Sequence, residues 1–155
     1  MFSVSAEPVI AFVDAFKAPI AADAQLLAGA TNVRPLVGVY GHVSEAARVG
    51  YPYVVLGQRT VDGNAGAMQR AGAIVTLQLD GWSDAKGPFE IQAIGSRIFA
   101  LMERRAGFTV PGFDVIAGSL HREFGDYSDE PDDDKPGSKL YHMVQRWTVE
   151  LHEAS

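Results

Sequence analysis

Cysteine is absent from the 155 residues of this chain. That excludes a disulfide scaffold, a thiol nucleophile and a cysteine-ligated zinc, and it suits assembly in a reducing cytoplasm. A basic surplus is missing too: 13 Lys and Arg stand against 19 Asp and Glu, a net charge of −6. A dedicated nucleic-acid-binding domain normally presents a basic face, so this balance argues against one. No apolar run nears the roughly 20 residues needed to cross a bilayer. The opening MFSVSAEPVIAFVDAF lacks the basic start of a signal peptide, and Glu7 and Asp14 interrupt its apolar residues. The expectation is a soluble, non-secreted protein with no membrane partner. Catalytic signatures are equally scarce, with no GxSxG elbow, P-loop, HExxH or GxGxxG.

What is present is an ordinary globular composition, 47% hydrophobic and 21% charged. The length suits one domain spanning residues 1–155, and folding such a chain removes roughly 70% of its surface from water. The organising stretch is Tyr51–Ser83, YPYVVLGQRTVDGNAGAMQRAGAIVTLQLDGWS. Val75, Leu77 and Leu79 alternate with Thr76, Gln78 and Asp80, the period of a strand with one face on a core. Strands are expected over about 53–61 and 73–82. The loop between them, about 62–72, exceeds a tight hairpin and is expected to project. Projecting loops often bind, so Asp62, Asn64, Met68, Gln69 and Arg70 are candidate interface residues, against the simpler reading of a merely mobile loop.

Pro8 suits a helix's first turn, and Val9, Val13, Phe16 and Ile20 form one helical stripe. Pro19 is expected to stop or kink that helix near Ala18. A second short helix, 21–28, should bury Leu26 and Leu27. A short strand is expected over 36–43. The strongest helix spans 89–105, with Ile91, Ile94, Ile98, Leu101 and Met102 inward and Glu90, Arg97, Glu103 and Arg104 largely outward. Arg104 and Arg105 are expected in its last turn, and it should rest on Val75, Leu77 and Leu79. Strands follow over 115–124 and 140–151, the latter with Tyr141, Met143, Trp147, Val149 and Leu151 on one face and Gln145 interrupting them. The fold class is therefore α+β: a largely antiparallel sheet of about five strands, covered by an N-terminal helix and one long amphipathic helix.

Candidate chemistry is sparse. His142 and His152 share a strand face but lie roughly 33 Å apart along it, too far to share a metal. The run SDEPDDDKPGS, residues 128–138, is a loop by composition. Its Asp129, Glu130, Asp132, Asp133 and Asp134 lack EF-hand spacing, so a solvated acidic loop is the simpler reading than a calcium site. His121 with Glu123 or Asp126 offers an acid–base pair with no nucleophile beside it. No catalytic residue, cofactor or metal is expected.

The segment Tyr51–Gly57 (YPYVVLG), the strand Val75–Trp82 and the helix Ile91–Leu101, in this order across roughly Val9–Glu150, resemble the small tail-completion, or tail-terminator, proteins of long-tailed bacteriophages and gene transfer agents. The acidic loop is longer than the family's pattern. The resemblance implies a structural virion protein in the tail or neck, assembled in the host cytoplasm. It implies a homo-hexameric ring that caps the head-proximal end of the tail tube, ends its polymerisation and joins it to the head connector or a stopper protein. DNA would pass through without sequence-specific binding, and an acidic wall suits such passage. The 62–72 loop is then a subunit or ring contact, and the acidic loop faces lumen or connector. Another neck component, such as a head-closure protein, is the alternative; a small α+β ligand-binding domain or enzyme is a more distant one.

Overall fold

A computed structural model describes residues 8–41, 50–62 and 72–154. In chain order the elements are α1 (Pro8–Ala22), α2 (Ala24–Ala28), β1 (Gly38–Tyr40), β2 (Tyr53–Asp62), β3 (Gly72–Ser83), α3 (Phe89–Met102), β4 (Phe113–Val115), β5 (His121–Pro131) and β6 (Lys139–Glu153). The class is the expected α+β. One sheet runs β1-β2-β3-β6-β4, and β5 also pairs with β6. Every pairing is antiparallel except β1 with β2.

The period-two pattern decides the layering. Val75, Leu77 and Leu79 of β3 and Met143, Trp147, Val149 and Leu151 of β6 are buried together with Ile91, Ile94, Ile98 and Met102 of α3. Phe12, Val13, Phe16 and Ile20 of α1 join the same core, and the Phe16 ring lies 5.3 Å from that of Trp147. Gln145 does interrupt this face, and it is satisfied there. Its Nε2 donates to the Gly95 carbonyl at 3.0 Å, and its Oε1 accepts from Trp147 Nε1 at 2.9 Å.

Several local expectations change. α1 continues through Pro19 to Ala22, because full burial of Ile20 offsets the one backbone bond that proline removes. α2 is only five residues long and buries Leu26, while Leu27 is 53% exposed; adjacent helical residues cannot face the same way. The 36–43 strand shrinks to β1, and its last two residues lie outside the described ones. α3 ends at Met102. Arg104 follows with φ 47°, donating its amide to Leu120 O at 2.9 Å, so Arg104 and Arg105 lie beyond the helix.

The strand expected over 115–124 is two strands, which raises the count to six. β6, at 15 residues, is long enough to pair β5 and β4 in line along one edge. The chain crosses between them through a turn at Gly118 (φ 74°). There Ile116 donates to Glu150 O, and Ser119 Oγ accepts from the Glu150 amide. Leu101 is only partly buried.

Candidate functional site

The β2–β3 connection and the β5–β6 turn join strands at opposite ends of the sheet. β3 and β6 pair from Gly72–His152 at one end to Ser83–Tyr141 at the other. The β2–β3 connection leaves from the first end, where Asp62 pairs with Ile74. Asn64, Met68, Gln69 and Arg70 lie outside the described residues. The β5–β6 turn closes the second end, roughly 35 Å away along β3.

The acidic run is not a loop over its whole length. β5 continues to Pro131, so Asp129 and Glu130 stand on a strand, paired in register with Tyr141 and Leu140. Asp129 sits 3.8 Å from Lys139. Only 132–138 form the turn. Asp132 folds inward to 7% exposure: its amide donates to Ser138 O, and its Oδ1 accepts from the Asp134 amide at 3.0 Å. Asp133 and Asp134 remain exposed. Strand pairing prevails because β6 offers a full row of backbone partners, whereas composition describes only side chains.

The sheet's second face carries no helix among the described residues. At its Ser83 end, Tyr53 and Val55 are buried with Tyr40, Tyr51 and Trp82 packed against them. The Trp82 indole stacks on His142 at 4.0 Å, and His142 Nε2 lies 2.7 Å from Asp80 Oδ1. Burial lifts the Tyr53 phenol to about 12. It lifts Tyr51 as well, helped by the negative charge of Asp132, Asp84 and Asp134. Alternation along β3 placed Trp82 with Gln78 and Asp80, the one hint of this cluster in the sequence.

Glu90, expected outward, is 2% exposed. Arg34 binds it with its amide at 2.9 Å, Nε at 3.0 Å and a terminal nitrogen at 2.7 Å, and Ser83 Oγ donates at 2.8 Å. Burial opposes its ionisation, but these donors prevail and hold its pKa below the ordinary 4.5. Asp23 is likewise held below its ordinary value, first by hydrogen bonds from Arg97. These pairs tie the α2–β1 region to α3. His121 turns Nδ1 to Ser119 O at 3.0 Å and pairs in register with Thr148. Among the described residues no group of three or more His, Asp or Glu is placed to hold a metal ion, and no helix is long and apolar enough to cross a membrane. A groove of about 590 Å³ is lined by Asn32, Arg34, Lys86, Phe89 and Glu90 among others, and its Arg34 and Glu90 are paired with each other.

Residues 20–149 match the family described as Tail completion protein gp17. The chain belongs to this tail-completion family. It is a structural protein of a phage-like tail or neck, and the family match covers the whole sheet except its last residues. The fold is also similar to that of a chain in the solved virion of a native gene transfer agent particle. That likeness has a TM-score of 0.54 and 22% identity, and spans 83% of this chain and 87% of the other. No curated protein sequence matches this one.

Proposed function

We propose that this tail-completion protein forms a closed ring, a hexamer by family resemblance, that caps the head-proximal end of the tail tube. The ring ends tube polymerisation and joins the tail to the head connector or a stopper protein, with DNA passing through its centre. The observation that carries the reading is the family match over 20–149. The placement of the two candidate patches supports it. An adapter between unlike assemblies needs two unlike surfaces facing apart, and head-to-tail contacts close a ring only if they differ. Here the 62–72 connection and the acidic turn leave opposite ends of β3 and β6. Asp62, Asn64, Met68, Gln69 and Arg70 form the contact to the next subunit or ring. Asp129, Glu130, Asp132, Asp133 and Asp134 face lumen or connector, with buried Asp132 shaping the turn rather than touching a partner.

The test is genetic and visual. Particles made without this protein should show overlong or detached tails in negative-stain images, and the wild-type chain should restore them. Tails of normal length joined to heads would overturn the proposal. Joined heads with lost DNA would instead mark a head-closure role.

A further inference from the structure

The surface that the fold leaves open is a strand edge. β5 runs for 11 residues and pairs with β6 on one side; no strand among the described residues pairs with its other side. An open edge this long is a template for another strand unless it is blunted. Backbone blunting is confined to its ends. A bulge lies between Arg122 and Phe124, where the Arg122 amide is already held by Glu103 Oε2 at 2.9 Å. Pro131, which has no N–H, closes the far end. Between them Gly125–Glu130 stays in regular register with β6, and the Tyr127 amide donates to the neighbouring Asp126 Oδ1 at 2.8 Å. Phe124, 47% exposed, stands at the head of this window.

Charge selects the occupant. Residues 121–139 hold seven of the chain's nineteen acids and three of its thirteen bases, so four of the six net negative charges sit on this hairpin. Of the three bases, Arg122 lies over the Phe99 ring at 4.3 Å, Lys135 reaches Asp84 and Lys139 reaches Asp129. A second β5 laid antiparallel would bring acidic rows face to face, which destabilises a strand pair. A further stretch of edge among the described residues, 58–61 of β2, offers one base, Arg59, whose guanidinium is turned onto the Gly41 and Leu56 carbonyls. DNA would be repelled.

We propose that the outer edge of β5, Gly125–Glu130, accepts an extended, basic segment of a different protein as an added strand, by backbone pairing with electrostatic selection. Edge and charge belong to the single subunit, so the inference does not depend on the ring. The probe is a blocked heptapeptide of alternating lysine and valine, added to the full-length protein and followed by fluorescence anisotropy and amide hydrogen exchange. It should slow exchange across 124–130. The triple variant Asp126→Asn, Asp129→Asn, Glu130→Gln should weaken binding by roughly tenfold while keeping its melting temperature. A peptide of equal charge N-methylated at alternate residues should give no protection. Equal protection by the methylated peptide, equal binding by the triple variant, or no binding would each overturn the proposal. Concentration-dependent protection without peptide would also overturn it, by assigning the edge to a second copy.

Discussion

Two buried side-chain arrangements set the energetics at the scale of single residues. Removing Arg34 strands a carboxylate that is 2% exposed, whereas Glu90→Gln leaves a neutral group with donors nearby. Arg34→Ala should therefore cost about 2–3 kcal/mol and Glu90→Gln about 1, measured by chemical denaturation; the reverse order would refute the assignment. Acid sensitivity has a definite sign. Glu90 and Asp23 are held below their ordinary 4.5 and 3.8, so below those values the unfolded chain binds more protons than the native one. The stability they contribute is present above about pH 4.5 and is lost as pH falls through the lowered values. Denaturation midpoints should drop in acid, less steeply in Glu90→Gln. Gly95 lies where a Cβ would meet the Tyr127 hydroxyl and, at 2.7 Å, Met143 Sδ. Alanine gains about 1 kcal/mol of helix propensity there but overpacks by about 1–3. Gly95→Ala should lower the melting temperature, and adding Tyr127→Phe should recover part of the loss.

Among elements, the contact of α3 with β3 and β6 is central. Leu79 is fully buried and Leu101 only partly. Leu79→Ala should cost about 2–5 kcal/mol and Leu101→Ala clearly less, by denaturant unfolding; equal costs would mean that α3 sits differently. This contact was legible from two periodicities, 3.6 in the helix and 2 in the strand. The splitting of the strand expected over 115–124 was not legible. Nothing in that segment announces that β6 supplies both its partners. The acidic run was misread for the same reason, since composition favoured a loop where pairing to β6 made a strand.

For the whole molecule, the helices among the described residues pack on one face of the sheet. Deleting 65–71, between β2 and β3, should leave the melting temperature within a few degrees of wild type, because it keeps the described core of β3, β6, α1 and α3 whole. It should abolish joined particles in negative-stain counts. Normal joining by that variant would remove the 62–72 connection from the interface. Particles reconstituted with the acid-neutralised β5 variant then report separately on the hairpin.

The sequence by itself determined the class, the apolar face of β3 and β6, the helix that rests on it and the likeness to tail-completion proteins. Periodicity and order along the chain are local properties, readable without coordinates. Only the tertiary structure decided that Glu90 is a buried anchor, that β4 and β5 share the edge of β6, and that Asp129 and Glu130 ride a strand. It also set the β2–β3 connection and the β5–β6 turn at opposite ends of β3 and β6. Each depends on a partner distant in sequence, Arg34 for Glu90 and β6 for β5. A residue's surroundings, rather than its type, then settle whether its charge and backbone are spent inside the fold or offered to a neighbour.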